Sequence, residues 1–335
     1  MTCTVVRSLP EEVWREFVER HPAGNIYHTS EMFEVYARAK GYRPALWASV
    51  DDAGCPLALL LPVEITLLEG LLRSLTTRAV VYGSVLAASG SQGQAALATL
   101  LQAYRRATRG VLFTELRNLS ALPEVQPILA AHHFPYEGQL NYLIDLSAPE
   151  EVLWRKMAKS GQHRVRTSHN KGTAVSEVTD KTQLAQAYRL LQKTYARVQV
   201  PLADLSLFEA AFDILGPRGM FKAFLAQADG QILGADLLLA DHGRVVDWYA
   251  AIDRQFAAYA PMEALTWHAI CWGKEHGFRL FDFGGAGRPG EEYGPRKFKA
   301  KFGGELVDLG RNVCVHAPLS MWLSLHGYQL LRRFL

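Results

Sequence analysis

The chain has 335 residues, 49% of them hydrophobic, so it is long enough for two ordinary domains that each bury a core. Its net charge is only +3, which excludes a strongly basic or acidic protein and means that a polyanionic partner would have to meet a local cluster of charge. The four cysteines, at positions 3, 55, 271 and 314, form no CxxC pair and indicate a reducing compartment rather than a disulfide framework.

The N-terminal residues become charged and helical within about ten positions, so they lack the apolar core of a secretory signal. The most apolar stretch, residues 313–331, is interrupted by His316, Pro318 and His326 and falls short of the roughly 18 apolar residues that span a bilayer. We therefore expect the chain to stay in the cytoplasm.

In the first half, the pattern predicts two strands, residues 44–50 and 55–64, and then a helix over residues 91–110 that ends at a glycine. A strand over residues 111–117 follows and carries Glu115. The next strand, residues 141–146, leads to Ser147, which can cap a following helix. We place the seam there, which predicts domains at 1–146 and 147–312 and an amphipathic tail at 313–335.

The second half repeats this order. Strands are predicted at residues 221–228, 231–240 and 244–252, followed by a helix over 261–277 and a strand over 279–285 that carries Asp282. A repeat longer than about 100 residues indicates a duplicated domain rather than a solenoid. The sequence therefore predicts two similar α/β domains.

Residues 281–305 are the most unusual part of the chain. An apolar strand ends there in Asp282 and two glycines, and a loop with glycine and proline leads into a cationic run. The loop gathers aromatic and cationic side chains, namely Tyr293, Phe298, Phe302, Arg296, Lys297, Lys299 and Lys301. Such a cluster is costly for packing alone, so it predicts a site. The first half carries only Glu115 and no comparable cationic run, which predicts one working centre.

A second feature is a basic segment, residues 153–172, that contains no acid. Its six cations are Arg155, Lys156, Lys159, Arg164, Arg166 and Lys171. In a helix, Arg155, Lys159, Gln162, His163 and Arg166 would share one stripe. Two interpretations remain open, a surface that binds a phosphate chain and a solvated basic face; the clustering in a nearly neutral chain favours the first. Gly161 predicts a break in the helix nearby.

The histidines do not predict a metal site. His268 lies on the predicted helix 261–277, the nearest other histidine is two turns away, and no acid completes a ligand set. The adjacent pair His132 and His133 would diverge on a helix. We expect His268 to be a core or boundary residue and the protein to bind no metal.

At this point the residues carry a resemblance to a known family. Residues 153–175, 245–285 and 297–306, in that order, resemble the Fem-type peptidyltransferases (FemAB- and FemX-like proteins) of the GNAT acyltransferase superfamily, and residues 27–42 resemble the first helix of that family. The resemblance implies two tandem GNAT-like domains. Each would be a mixed, mostly antiparallel sheet flanked by helices.

The resemblance also implies an activity. Such enzymes transfer an amino acid from aminoacyl-tRNA to the amino group of a peptidoglycan-precursor peptide, nucleotide- or lipid-linked, with aminoacyl-tRNA as co-substrate and no tightly bound cofactor. Two alternatives stay open: an acyl-CoA-dependent GNAT N-acyltransferase that acts on an amine, and a non-catalytic accessory protein in envelope polysaccharide assembly. No glycine lies between Arg254 and Leu265, where a pyrophosphate-binding loop would be expected, and this favours the tRNA donor over CoA.

Carried onto this sequence, the resemblance implies that Phe298 and Lys299 are the acyl-transfer pair, with Asp282 in support. It also implies that Trp248 and Tyr249 line a channel and that Arg197 binds acceptor phosphate. Chemistry alone supports Lys299 as the positive charge for a developing oxyanion. Asp282 would orient Lys299 or accept the proton of the amine, and we favour orientation. The predicted substrate-binding set is completed by Tyr293, Arg296, Arg164 and Arg166.

The C-terminal stretch, residues 318–335, is apolar, contains Trp322 and ends in a basic pair followed by two apolar residues. Aromatic and basic residues suit a membrane interface, so peripheral contact with the inner face of the membrane is one interpretation. Packing of the tail on its own protein is the other.

Overall fold

The computed structural model describes residues 3–66, 70–108 and 110–322. It divides into two compact units, which differ from the predicted domains. The first unit joins Met1–Gly138 to Leu309–Leu335, and the second unit is Gln139–Asp308.

The strands of the described residues are β1 (Thr4–Val6), β2 (Tyr42–Pro44), β3 (Trp47–Val50), β4 (Pro56–Leu60), β5 (Val63–Thr66), β6 (Thr77–Tyr82), β7 (Leu86–Ala87), β8 (Phe113–Arg117), β9 (Tyr136–Glu137), β10 (Leu140–Asp145), β11 (Ala174–Glu177), β12 (Phe221–Ala228), β13 (Gln231–Asp241), β14 (Arg244–Ile252), β15 (Leu280–Gly285), β16 (Glu305–Asp308) and β17 (Arg311–Val315). The helices are α1 (Glu11–Arg20), α2 (Ser30–Arg38), α3 (Gly90–Ala107), α4 (Gln126–Ala131), α5 (Glu150–Lys156), α6 (Lys159–Asn170), α7 (Lys181–Val198), α8 (Leu205–Ile214), α9 (Pro261–Glu275) and α10 (Gly294–Lys299). Short 3-10 helices cover Ile26–His28, Gly70–Leu75, Gly216–Arg218, Arg254–Tyr259 and Ala300–Phe302.

The first unit contains two sheets. One has the order β1-β3-β4-β7, and the other has the order β2-β5-β6-β8-β17-β9. The single predicted strand over 55–64 is two strands, because it is interrupted at Pro62, which has no N–H for the ladder. Helix α3 buries Leu97, Leu100 and Leu101 in the core of this unit.

The second unit is built on one sheet with the order β11-β12-β13-β14-β15-β10-β16. All neighbours in it are antiparallel except β14 and β15, which are parallel. The predicted meander is confirmed as β12, β13 and β14. The predicted fold class, mixed sheets flanked by helices, is confirmed as well.

The predicted duplication is visible in both units. In the first, β6 is followed by α3 and by the parallel strand β8; in the second, β14 is followed by α9 and by the parallel strand β15. Glu115 lies on β8 opposite Val80, and Asp282 lies on β15 opposite Val246. The two acids therefore occupy corresponding strands, as the repeat predicted.

The predicted boundaries at 146 and 312 are corrected by the strand partners. Strand β10 precedes residue 146 but pairs with β15 and β16, so it belongs to the second unit. Strand β17 pairs with β8 and β9 and returns the chain to the first unit. Hydrogen bonds between strands decide membership in a sheet, and local composition does not report them.

Helix α9 begins at Pro261, which is tolerated at the first helical position because the amide there needs no intrahelical partner. The imidazole ring of His268 on this helix packs edge-on against Phe224, with ring centroids 4.7 Å apart. Burial lowers the pKa of this imidazole. His268 is thus a packing residue. Within the described ranges, no group of three or more His, Cys, Asp or Glu side chains could hold a metal ion.

The basic segment is helical, but its break is not at the glycine. Helix α5 ends at Lys156 and α6 begins at Lys159, while Gly161 lies buried inside α6. A Cβ on Gly161 would lie 2.9 Å from the carbonyl oxygen of Lys301. The glycine therefore permits a close approach of two backbones instead of ending a helix.

Of the predicted tail 313–335, only its first ten residues are described; residues 323–335 lie outside the described residues. The described part contributes most of β17 and then a helical segment over residues 318–322, on which Leu319 and Trp322 are exposed. No helix among the described residues is long and apolar enough to cross a membrane. Cytoplasmic location and membrane contact stay predictions.

Candidate functional site

Strands β14 and β15 separate part-way along the sheet of the second unit. They pair only from Arg244 opposite Leu280 to Val246 opposite Asp282, although β14 continues to Ile252. At the same place β14 has a bulge. Leu237 of β13 lies opposite Tyr249 and Leu238 lies opposite Asp247, so Trp248 between them has no partner on β13. Bulges bend a strand and re-aim its side chains. We call the opening between residues 247–252 and 283–285 the strand fork.

The corresponding strands of the first unit do not separate in this way. Strands β6 and β8 stay paired to their last residues, Tyr82 and Arg117. Glu115 accepts hydrogen bonds from Arg117 at 2.9 Å and from Arg311 at 2.5 Å. Burial acts to raise the pKa of Glu115, but the two arginines outweigh it and hold the pKa below its usual value. The acid of the first unit is thus an ion-paired structural group.

Lys299 reaches the β15 arm of the strand fork from α10. Its Nζ donates to the carbonyl oxygens of Phe283 at 2.5 Å and Gly285 at 2.8 Å. An ammonium has three N–H groups, and the third has no acceptor among the described residues. Burial lowers the pKa of Lys299, while attraction by Asp247 and Asp282 opposes the shift. The fork therefore holds a partly desolvated positive charge with one free donor.

Asp282 lies beside this lysine but is completely buried. Its Oδ1 accepts from Asn141 Nδ2 at 3.1 Å and from the backbone N–H of Gly284 at 2.7 Å, and its Oδ2 accepts from Arg244 at 3.2 Å. Burial raises the pKa of Asp282, and these three donors and Lys299 act against that rise. The carboxyl group holds the turn at Gly284, between the two residues whose carbonyl oxygens accept from Lys299. The orienting role that we favour from the sequence stays a prediction.

Two further acids lie in the fork and were not predicted from the sequence. Asp236 on β13 and Asp247 on β14 join their carboxyl groups by a hydrogen bond. Burial raises the pKa of Asp236 well above its usual value, and it raises the pKa of Asp247 to about 6, with Asp282 adding to the rise and Lys299 opposing it. The signal was present in the sequence, because Asp236 interrupts an apolar run over residues 232–240 and Asp247 interrupts one over residues 245–252.

Aromatic side chains form one wall near the bulge. Trp248 and Tyr249 pack against Phe208 with ring centroids 5.6 Å and 4.9 Å apart, and Tyr195 lies 5.7 Å from Tyr249. Burial raises the pKa of Tyr195 to about 12, and the nearby carboxyl of Asp247 contributes. The predicted wall residues Trp248 and Tyr249 follow Asp247 directly along β14, and their rings pack on side chains of α7 and α8.

The loop before α10 is closed by one of the predicted binding residues. Arg296 donates from Nε to the carbonyl oxygen of Ala286 at 2.7 Å and from Nη2 to that of Arg288 at 2.6 Å. Tyr293 is 40% exposed on this loop, and the half-buried Phe298 packs on Phe302 with ring centroids 5.3 Å apart. Arg296 thus shapes the loop, while Tyr293 is open to solvent.

The predicted arginines differ in accessibility. Arg164 is engaged with the start of α9, where it donates to Ala257 O at 2.6 Å and contacts buried Glu263 at 3.4 Å. Arg166 is exposed, with its guanidinium carbon 5.2 Å from the ring centroid of Trp154. Arg197 is exposed near the end of α7, two residues after Tyr195. No contact recorded among the described residues brings Arg164, Arg166 or Arg197 into the strand fork.

We expect the segment after Lys299 to depend on Gly303. This residue has φ +77°, and an added Cβ would lie 2.4 Å from the carbonyl oxygen of Lys156. Gly303→Ala should lower the free energy of unfolding by about 2 to 4 kcal/mol, measured by urea denaturation, because strain and a backbone clash add. Gly230→Ala, with φ +70° and open space around it, is the matched control and should cost only about 1 kcal/mol. Equal losses for the two variants would contradict the proposed clash.

The chain is similar to one protein family in sequence and to several solved structures in fold. The family described as Acetyltransferase (GNAT) domain matches residues 154–299. The crystal structure of FemX superposes with a TM-score of 0.72 at 16% identity, covering 97% of this chain and 100% of that one. No curated protein sequence gives a significant match.

Two other solved structures are similar over nearly their whole length. A tandem GNAT protein from the clavulanic acid biosynthesis pathway has a TM-score of 0.60 at 14% identity, with 95% of this chain and 99% of that chain covered. L-PGS from Bacillus licheniformis has a TM-score of 0.59 at 14% identity, with 95% and 96% covered. The resemblance to Fem-type proteins is confirmed at the level of fold, and the chain has the tandem GNAT-like architecture that the sequence predicted.

Proposed function

We propose that the chain is an acyltransferase that forms an amide bond in the strand fork of its second unit. In the more specific form of the proposal, an amino acid passes from aminoacyl-tRNA to the amino group of a peptidoglycan-precursor peptide. The GNAT-type fold and its FemX-like arrangement support the general class. The single observation that carries the proposal is the position of Lys299 in the fork.

Attack of a neutral amine on an ester or thioester places negative charge on the carbonyl oxygen of the donor. Lys299 is held by the carbonyl oxygens of Phe283 and Gly285 and keeps one N–H for such an oxyanion. A fixed charge in partly desolvated surroundings stabilises an oxyanion more than a mobile charge in water does. Phe298 and Tyr249 would bound the acyl group, and Tyr293 and Arg197 would contact the acceptor.

The start of α9 supports the tRNA donor over CoA. In CoA-dependent relatives a glycine-rich loop opens this helix and binds pyrophosphate with its backbone amides. Here the 3-10 helix Arg254–Tyr259 and Ala260 precede Pro261, and the first turn contains the buried carboxylate of Glu263. Glu263 already binds Arg164 and Lys301, at 3.4 Å and 3.3 Å. A pyrophosphate at this place would be repelled by the negative charge of Glu263. Arg164 and Lys301, which could attract it, already pair with that carboxylate.

The test is a donor screen followed by mass spectrometry of the product. Pools of aminoacylated tRNA are compared with acyl-CoAs, and a nucleotide-linked peptidoglycan-precursor peptide is the acceptor. A mass gain of one amino-acid residue from the tRNA pool is the expected result. A product formed only from acyl-CoA would show that the chain is instead the CoA-dependent N-acyltransferase. No product with any donor would favour the accessory role in envelope polysaccharide assembly.

Charge reversal separates the two arginines of the basic segment. Arg166→Glu should raise KM for an anionic donor about three- to tenfold without loss of stability, because Arg166 is exposed and its charge acts only on the ligand. Arg164→Glu should also destabilise the fold, since it would place an acid beside Glu263. Arg106→Glu is the control, because Arg106 is exposed on α3 of the first unit, which does not contain the fork. An unchanged KM in the Arg166 variant would identify the segment as a solvated face.

A further inference from the structure

Asp236 and Asp247 bring two carboxyl groups together inside the sheet, an arrangement in which a hydrogen bond between them acts to raise the pKa of Asp236 and to lower that of Asp247. Leu238 of β13 lies opposite Asp247 of β14, and Asp236, two residues before Leu238, lies on the same face of the sheet. Two ionised carboxylates have only acceptor atoms and cannot hydrogen-bond to each other. The contact therefore requires one proton between the two groups.

The surroundings indicate which acid keeps that proton. Asp236 is 2% exposed, and its Oδ1 has no hydrogen-bond partner among the described residues. An unpaired oxygen costs much less to bury when it belongs to a neutral acid than when it belongs to a carboxylate. Asp247 is partly exposed and faces the positive charge of Lys299. The proton therefore rests on Asp236, which donates it to an ionised Asp247.

We propose that Asp236 and Asp247 hold one proton between them, with Asp247 as the general base for the attacking amine and Asp236 as the residue that positions it. This inference rests on the proposed function, acyl transfer to an amine. Asp247 keeps some accessible surface although burial raises its pKa, whereas Asp236 and Asp282 are buried, so Asp247 is the acid of the fork that an amine would approach. It lies on the arm of the fork that faces Lys299.

The protons of the proposed step balance. The acceptor enters as an ammonium and gives one proton to the Asp247 carboxylate, which leaves a neutral amine. The amine nitrogen forms a bond to the donor carbonyl carbon while Lys299 stabilises the oxyanion. When the bond from that carbon to the ester oxygen breaks, the second proton of the nitrogen passes to the leaving oxygen. Asp247 then returns its proton to solvent.

This role predicts a pH dependence set by the groups that face Asp247. These are Asp236 from β13, Asp282 from β15, Lys299 from α10 and Tyr195 from α7. The base must be ionised to act, so kcat/KM should fall as the pH drops through the pKa of Asp247, about 6. Tyr195 stays neutral in this range, since a phenol ionises only near pH 10 and burial raises the pKa of Tyr195 further, to about 12.

Two substitutions of Asp236 should separate positioning from simple packing. Asp236→Asn keeps an N–H donor towards Asp247, so the acid limb of the pH profile should stay within about 0.3 pH units of the wild type. Asp236→Leu fills a similar volume but removes the donor, so the carboxylate of Asp247 loses stabilisation and the limb should move up by about one pH unit. Asp247→Asn should lower kcat about a hundredfold or more.

The proton count can be measured without any substrate. In the full chain labelled with 13C at the aspartate side-chain carboxyl, NMR titration should show that Asp236 stays protonated at pH 7 and that Asp247 titrates near pH 6. Asp236→Asn should remove the first signal, whereas Asp213→Asn, at an exposed position of the same unit, should leave both unchanged. Two carboxyls that are both ionised at pH 7 would overturn the shared proton.

The pH dependence of kcat/KM is measured with the donor and acceptor that react in the screen. A shifted NMR titration with an unshifted pH profile in Asp236→Leu would overturn the role of Asp247 as base while the shared proton stands. Absence of transfer with every donor would contradict the proposed function and the base role together, and the NMR titration would still decide the proton count.

Discussion

Lys299→Ala is expected to lower kcat by about a hundredfold or more while most of the stability is retained. The side chain supplies the positive charge for the proposed oxyanion, and removal of one such group typically costs two to three orders of magnitude in rate, about 2.7 to 4 kcal/mol. Its structural contacts are two hydrogen bonds to the carbonyl oxygens of Phe283 and Gly285. Water can replace part of these, so we expect unfolding to become easier by only about 1 to 2 kcal/mol.

The matched control for this prediction is Lys297→Ala. Lys297 lies on the same short helix, but its side chain is 76% exposed and pairs with Glu292 on the surface. Such pairs contribute little, so both stability and kcat should be nearly unchanged. Single-turnover rates and urea denaturation of the two variants make the comparison. A large loss of stability in Lys299→Ala, or full activity in it, would contradict the assigned role.

Asp282→Ala is expected to produce the largest loss of stability among the fork residues, about 2 to 4 kcal/mol in the free energy of unfolding. The carboxylate is fully buried and accepts from Asn141, Gly284 and Arg244. Its removal leaves buried donors without acceptors, which costs more than the net value of the bonds. The turn at Gly284 should relax and displace the two carbonyl groups that hold Lys299, so the rate should fall as well.

Asp282→Asn is the matched variant for this residue. It retains the size of the side chain and one oxygen that can accept from the Gly284 N–H, so the loss should be only about 1 kcal/mol. The rate should then fall much less than in Asp282→Ala. Equal stability of the alanine variant and the wild type, measured by urea denaturation, would show that the buried contacts do not hold the turn.

Much of the candidate site could be predicted from local sequence. The cluster that contains Asp282 and Lys299 was visible because an acid, two glycines and a cationic run stand within about 20 residues of one another. The strands and helix around it follow from apolar periodicity, which reports burial of a face directly. Lys299 and Asp282 lie close together in the structure, as this local cluster predicts. Their chemical roles stay proposals.

Asp236 and Asp247 could not be paired in this way. They lie on different strands, and the bulge at Trp248 determines which residues of β14 face β13. A shift of one residue in the register would turn a side chain to the other face of the sheet. An acid inside an apolar strand is a signal that the sequence shows. Which acid on the neighbouring strand lies beside it is determined by the register of the two strands.

The basic segment shows the same limit. Its charges suggested one binding surface, yet Arg164 is occupied by Glu263 and Ala257 while Arg166 is exposed. The sequence predicts a helix break near Gly161, but this residue lies inside α6 and permits close contact with Lys301. The role of each residue depends on what another part of the chain places beside it.

The sequence by itself determined the duplicated α/β architecture, the order of strands and helices in each half and the location of a charged cluster after β15. These features depend on periodicity and composition, which are local. The tertiary structure decided which unit β10 and β17 belong to, where β14 and β15 separate and which acids meet Lys299. Those features depend on hydrogen bonds and burial between residues far apart in the chain, which no local pattern records.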